Sequence, residues 1–335
     1  MLESEGPAIA APSVGTKRLS IALATYNGAA YLQTQLDSFL QQTRLPDELI
    51  AVDDASSDAT VEILEAFKAR APFAVQILRN EVNRRHIASF ERALRACTGD
   101  IIFFSDQDDA WFPPKLARIA EEFEAHPDAV AISNDAALTD ETLRPTGETQ
   151  LSKLQHAFVK ETVLVYGCAL AIRRELVPLL VPLPDAGHDT WICAFADAYG
   201  ARRFVRTPLQ YYRRHRQSTS NGLLSAPERL SLLKWVQVQR HTSREDAFQV
   251  EALLAGEVRR RSLAHRAEVD ALFGAQRSAD SIREVERNIA AISARQRLLR
   301  HGFVLRAWLA LLFFCRGGYS HFSGLRSLVK DVIRR

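Results

Sequence analysis

Between Arg18 and Asp109 short apolar runs alternate with segments of helical periodicity, and every apolar run stops at polar residues. LSIALAT ends in Tyr26-Asn27-Gly28, Glu48 to Val52 ends in Asp53-Asp54, Val75 to Leu78 is a third short run, and Ile101 to Phe104 ends in Ser105-Asp106. Runs this short, bounded by turn-forming residues, read as buried strands. Between them, residues 29–42 place Leu32, Leu36, Phe39 and Leu40 at helical spacing. Asp58 is positioned to cap a helix through Val61, Leu64 and Phe67, and a third helix is expected over 87–96. Strands alternating with helices predict an α/β fold whose mainly parallel sheet is covered on both faces. Ligands of such sheets gather at the carboxyl ends of the strands, where Thr25–Asn27, Asp53–Asp54 and Asp106–Asp109 fall.

Beyond residue 115 the alternation loosens into a helix over 114–125, a strand near 129–133 and an apolar stretch over 163–173. From Ser225 the pattern is helical almost to the last residue. Charge divides at the same place. Residues 225–335 hold 20 Lys+Arg against 11 Asp+Glu, a balance of +9, which leaves −6 for residues 1–224 in a chain of net +3. An acidic front half is a poor nucleic-acid platform, so no nucleic-acid partner is expected, whereas the basic part suits anionic lipid or a partner protein. The four cysteines are scattered without metal-ligand spacing, and the first 17 residues lack the basic start and apolar core of a signal peptide. A flexible leader (1–17), a catalytic domain (18–224), a basic helical region (225–335) and a cytoplasmic location are the expected arrangement. Nothing in the sequence fixes an oligomeric state.

The segment FFSDQDDAW, residues 103–111, carries the chemistry. Asp106 and Asp108, two residues apart after a buried strand, make a negative patch that becomes favourable once a hard divalent cation binds, its shell completed by phosphate oxygens. Such a cation neutralises charge growing on a diphosphate leaving group. An isolated pair of this kind would be a solvated loop or a cap for the helix near Pro113. The apolar run before it and the acids at the other strand ends favour the cation.

Taken together, SIALATYNGAAYLQTQLDSFLQQT, AVDDASSDAT and GDIIFFSDQDDAW resemble the family 2 glycosyltransferases, most of all their rhamnosyltransferase-like branch, over residues 18–220. The resemblance implies an A-type glycosyltransferase fold, a Rossmann-like nucleotide-diphospho-sugar transferase domain, here with a helical C-terminal extension. It also implies a nucleotide-diphosphate sugar as donor and a Mg²⁺ or Mn²⁺ ion. Thr25, Tyr26 and Asn27 then line the nucleotide, Asp53 and Asp54 bond base and ribose, Asp106 spans ribose and metal, Gln107 joins the donor-binding set, and Asp108 ligates the metal. Thr25 as a turn former and Asp54 as a cap or solvated acid are the plainer readings. Two departures stand out. Ala55 occupies a position where relatives often have glycine, and Asn83-Arg84-Arg85 replaces an Asn-x-Gly segment. Arg85 lacks glycine's backbone freedom and either approaches the diphosphate, for which a guanidinium is suited, or is simply exposed.

Inverting transfer needs a base for the acceptor hydroxyl, and the resemblance assigns it to Asp189 in AGHDTWICAFA, where an N-cap is the plainer role. His188 orients that acid or the acceptor, or packs. LQYYRRHRQSTSN is similar to the family's YRxHxxN segment, which makes His215 the third metal ligand against the alternative of a surface histidine. Tyr166-Gly167-Cys168-Ala169 resembles an acceptor-side segment, and Trp111 and Trp191 either stack on sugars or belong to the core. The acceptor is expected to be a glycan or lipid-linked glycan of cell-surface polysaccharide or glycolipid synthesis. The donor is expected to be dTDP-rhamnose or a UDP-sugar.

Residues 295–335 hold nine Lys+Arg and one acid around GFVLRAWLALLFFC. That stretch is shorter than the roughly 20 residues of a bilayer crossing. It is expected either to lie on an anionic membrane at the inner face of the cell or to pack on protein. Two competing functions are weaker. A sugar-nucleotidyltransferase needs a glycine-rich phosphate loop that ATYNGAA does not supply. A non-catalytic carbohydrate-binding or assembly protein would not need Asp106, Asp108, Asp189 and His215 together.

Overall fold

The computed structural model describes residues 17–156, 167–215, 248–320, 322 and 324–333. The expected leader apart from Lys17, Tyr166 and the boundary at 224/225 lie outside the described residues. Four strands alternate with three helices at the start: β1 (Leu19–Thr25), α1 (Leu32–Leu40), β2 (Glu48–Asp53), α2 (Thr60–Arg70), β3 (Ala74–Arg79), α3 (Arg85–Ala96) and β4 (Ile101–Ser105). Then follow β5 (Ala110–Trp111), α4 (Lys115–Ala125), β6 (Ala131–Thr139), β7 (Pro145–Thr149), α5 (Gln150–His156) and β8 (Leu170–Arg173). A short α6 (Val177–Leu180), α7 (His188–Ala198) and β9 (Arg202–Arg213) complete this part. The remaining helices are α8 (Gln249–Ala264), α9 (Arg266–Phe273), α10 (Ala275–Leu299), α11 (Phe303–Cys315) and α12 (Leu325–Ile333).

All nine strands form one sheet in the order β3-β2-β1-β4-β8-β6-β9-β5, with β7 beside β6. The first four strands are parallel, as their helical crossovers require. Past β4 the expectation of a mainly parallel sheet is corrected. β8 runs antiparallel to both β4 and β6, and β5 and β7 pair antiparallel with β9 and β6, while β6 and β9 are parallel. β8 is inserted between β4 and β6 and runs against both, so these two strands stay parallel to one another. Since β1 lies between β2 and β4, the winding direction switches there, which opens a crevice at the carboxyl ends of β1 and β4.

β2 and β4 are buried along their whole length, so the sheet is covered on both faces. One face packs Ile21, Leu23, Leu49 and Phe103 against α1, α2 and α4 through Leu36, Phe39, Phe67, Ile119 and Phe123. The other packs Ala22, Val52, Ile102 and Phe104 against Phe90 of α3 and Trp191, Ile192 and Phe195 of α7. Leu254, Val258, Val269, Phe273 and Val285 of α8, α9 and α10 join this second layer, so the C-terminal helices continue the core. Trp191 is wholly buried, with its indole Nε1 donating to Leu180 O at 3.0 Å. Trp111 is packed on Phe39 at 4.8 Å between ring centroids. Both tryptophans belong to the core, and neither offers a face to a sugar.

Candidate active site

The loops after β1 and β2 are laced together before any ligand is considered. Asn27 N donates to Ser56 Oγ at 2.9 Å, Ser57 N donates to Asn27 Oδ1 at 2.9 Å, and Gly28 N donates to Thr60 Oγ1 at 2.8 Å. Asp58 accepts from Ala29 N at 3.0 Å and from Thr60 N at 3.1 Å. It therefore serves the start of α2 and the neighbouring loop at once. Its slight burial, which would raise its pKa, is outweighed by the bonds from Thr60 and Ala29, which hold the carboxyl below its ordinary value. Asn27 adopts the left-handed backbone (φ 46°) that asparagine tolerates better than other non-glycine residues.

Asp53 is wholly buried and accepts from Thr25 Oγ1 at 3.2 Å, Ser56 N at 3.0 Å and Ser56 Oγ at 2.5 Å. Its contribution to the site runs through Thr25 and the serine loop. Asp54 Oδ1 accepts from Asn80 Nδ2 at 2.6 Å and Arg84 N at 2.9 Å. Asn80 in turn lines an open cleft of about 470 Å³ with Ala55, Ser56, Arg79 and Glu81. This cleft lies at the carboxyl ends of β2 and β3, where the nucleotide was expected. Ala55 (φ 63°) and Arg85 (φ 66°) both adopt left-handed backbone, so the two departures from glycine keep glycine's conformation and bear its strain. Arg85 is exposed at the start of α3.

Gln107 bridges the loops after β1 and β4. Tyr26 N donates to its Oε1 at 2.8 Å, and its Nε2 donates to Tyr26 O at 3.0 Å. Gly28 permits this, since a Cβ there would come 2.2 Å from Gln107 Oε1. The expected nucleotide contact is thus a loop clamp in this structure, while the Tyr26 side chain stays largely exposed.

Around β4 the carboxylates converge. The Asp106 carboxyl is raised well above the usual range by burial, and further by the charges of Asp108, Asp109 and Asp189. Asp189, in the first turn of α7, is therefore near enough for its charge to act on Asp106. Gly187 holds the N-cap position of α7, so Asp189 is not the cap, and Asp189 Oδ1 accepts from Thr190 N at 2.7 Å. A carboxylate in a first helical turn is favoured by the helix dipole.

Asp109 was not picked out as a site residue, yet it organises one wall. It is buried, accepts from Arg213 N and from Gln210 Nε2, both at 3.1 Å, and is pushed up to about 7 by burial and the Asp108 charge. Beside it lies Lys115, whose Nζ donates to Cys168 O at 3.0 Å and to Gln210 Oε1 and sits 3.9 Å from the Trp111 ring centroid. Burial pulls this amine down to about 7. The motif's spelling, Asp-Gln-Asp-Asp, pointed to Asp109. No sequence signal marked Lys115, which sits in an ordinary amphipathic helix.

His215, just past β9, lies with Nε2 2.8 Å from Asp108 Oδ2, its ring 4.7 Å from that of Tyr31. Arg213 Nε donates to Asp108 O at 2.6 Å, which fixes the end of β9 on the acidic loop. Two of the three expected metal ligands, Asp108 and His215, are therefore together, an oxygen and nitrogen pair suited to a hard or borderline divalent cation. Asp106 shares their electrostatic field, but among the described residues no three such side chains form a ready cage. A cation here would take its other ligands from a bound diphosphate.

His188, next to Asp189, is a packing residue in an aromatic box. Its ring lies 4.1 Å from Phe90 and 5.4 Å from Phe104, between centroids. Burial pulls it down to about 4, so it is neutral. Gly167 makes room for it, since a Cβ there would lie 2.3 Å from its Nε2.

Residues 20–178 match the model of glycosyl transferase family 2. Similarity to glycosyl transferase family 2 thus runs from β1 to α6, a little under half of the chain. A dTDP-rhamnosyl transferase, RfbG of Shigella flexneri, is 26% identical over 61% of this chain and 75% of its own length. An uncharacterized glycosyltransferase of Nostoc sp. is 27% identical over 62% of this chain and 68% of its own. With the putative glycosyltransferase EpsE of Bacillus subtilis, identity is 33% but the match spans only 39% of that protein. Among solved structures, S. aureus TarS 1-349 in complex with UDP-GlcNAc superposes with a TM-score of 0.54 over 94% of this chain and 88% of its own, at 16% identity. The fold is therefore the A-type glycosyltransferase fold, with a helical C-terminal part.

Proposed function

We propose that this domain transfers a sugar from a nucleotide diphosphate to an acceptor hydroxyl with inversion, using Asp189 as base. The observation that carries this reading is the meeting of Asp108 with His215 at 2.8 Å on the loop after β4, with Asp189 of α7 near enough for its charge to act on Asp106. The nucleotide occupies the cleft by Ala55, Ser56 and Asn80, near Asp54, and the diphosphate lies towards Asp106 and Asp108. Asp189 takes the acceptor proton as the acceptor oxygen attacks the anomeric carbon. The carbon–oxygen bond to the diphosphate breaks, and its electron pair leaves with the diphosphate. Asp108 and His215 would hold Mg²⁺ or Mn²⁺, and that ion would supply positive charge to offset the charge of the leaving group.

Similarity to RfbG favours dTDP-rhamnose as donor, and the fold shared with a UDP-GlcNAc-bound TarS makes UDP-sugars the next class to assay. A glycan or lipid-linked glycan acceptor at the inner face of the membrane follows from the same reading. The deciding assay is Asp189→Asn with the accepted donor. It is expected to lower kcat by about 10²–10⁴-fold while leaving the donor KM near that of the unaltered chain. Transfer at the unaltered rate, or the same rate in excess chelator, refutes the base or the metal assignment respectively.

A further inference from the structure

Helix α11 is inside out. Its one charged residue, Arg306, is buried, with NH2 donating to Val332 O at 2.9 Å, and Ala310 beside it is also buried. Leu309 and Phe313 pack inward with Ala310, but a second set of apolar residues points outward: Val304 is 81% exposed, Trp308 61% and Leu311 54%, spaced four and three apart along one stripe that continues to exposed Cys315. Phe303 and Leu305 flank the stripe. Neighbouring α12 adds exposed Leu325 and Val329. A helix on a protein facing only water keeps the opposite orientation, and a contiguous exposed apolar face marks a surface that binds something.

The rim says what it binds. Arg297 and Arg300 precede the helix and Arg316 follows it, all exposed. The only acid between Arg295 and Arg335 is Asp331, which is buried and fully engaged by Arg295 at 2.8 and 2.9 Å and by the Tyr319 hydroxyl at 2.9 Å. The described surface of residues 296–333 therefore presents apolar side chains ringed by positive charge with no carboxylate. No helix among the described residues is long and apolar enough to cross a bilayer.

We infer that the outward face of α11, with Leu325 and Val329 of α12, docks on an anionic lipid bilayer. The helix lies in the interface plane with Val304, Trp308 and Leu311 sunk ~5–10 Å into the headgroup and acyl boundary, and Arg297, Arg300 and Arg316 meet lipid phosphates. A second copy of the chain fits this face less well, because a two-fold contact sets each basic rim against its own image. Lipid docking stands or falls separately from sugar transfer, since none of these residues touches the acidic site.

Flotation of the full chain with phosphatidylglycerol/phosphatidylcholine vesicles, against phosphatidylcholine alone, tests the surface. The chain is expected to float with the anionic vesicles at least about tenfold better than with the neutral ones, and to release as salt is raised. Trp308→Glu with Leu311→Glu, at exposed positions that leave the fold intact, is expected to reduce flotation by at least about tenfold with an unchanged melting temperature. Equal recovery of unaltered and doubly substituted chains with the anionic vesicles overturns the assignment. So does a dimer in sedimentation that the same substitutions make monomeric, with neither form floating.

Discussion

Single side chains in this molecule are judged by what surrounds them, and three positions turn that into numbers. Ala55 bears a left-handed backbone (φ 63°) that a Cβ disfavours by roughly 1–2 kcal/mol, partly offset by the greater freedom glycine has when unfolded. Ala55→Gly is therefore expected to stabilise the chain by about 0.5–1 kcal/mol in urea titration, and a loss of stability would contradict it. His188 is buried and neutral with its value pulled down to about 4, against an ordinary 6.5. The unfolded chain binds its proton between these values while the folded chain does not. Stability is thus complete above pH 6.5 and falls as pH drops towards 4, by roughly 3 kcal/mol for this residue. His188→Gln is expected to remove that part of the acid limb in melts from pH 7 to 4. Asp189 is the third position, and its amide variant separates proton transfer from donor binding.

At the scale of elements, the junction between α8 and the catalytic layer rests on Arg261. Its Nε donates to Glu257 at 2.6 Å, its NH1 to Leu179 O at 3.3 Å and its NH2 to Pro182 O, and its guanidinium lies 5.4 Å from the Trp191 ring. One buried fork thus ties α8 to the segment leading into α7, which carries Asp189. Arg261→Ala removes the donors and leaves the buried Leu179 carbonyl without this partner, at a cost of roughly 1–3 kcal/mol. The expected readout is a lower denaturation midpoint, with faster amide exchange in the segment 179–183. Protection unchanged in that segment would show that α8 does not hold it.

Over the whole molecule, two cores of different standing are stacked in sequence. Leu254, Val258, Val269, Phe273 and Val285 complete the layer over the sheet, whereas Leu298, Leu299 and Ala310 form a separate cluster with Leu309, Phe313, Leu328 and Val332. A chain ending at residue 301 is expected to keep its fold and cooperative melt. One ending at 247 exposes the layer over β1, β2 and β4 and should aggregate or melt without cooperativity. Equal melting of the two would mean that the C-terminal helices are appended rather than structural.

The alternation of apolar runs with helical repeats determined β1 to β4 and α1 to α4, because burial on both faces of a parallel sheet leaves a pattern that local sequence must obey. It also set the acids at the strand ends, since a strand's length decides where its loop begins. Antiparallel entry of β8 was hidden, because the sheet direction depends on which strand is the neighbour, and a strand with three buried residues fits either direction. So was the meeting of Asp108 with His215, which lie 107 positions apart and touch only because β9 runs back beside β5 and β6. Lys115 was missed, and the clamp made by Gln107 was unseen, for the same reason. A lysine on a helix looks solvent-bound, and a loop glutamine shows no backbone partner, until the fold places Cys168 and Gln210 around one and the Tyr26 backbone against the other. Sequence alone fixes the period and chemical type of each segment, while only tertiary packing decides which polar groups leave water and which partners they then find.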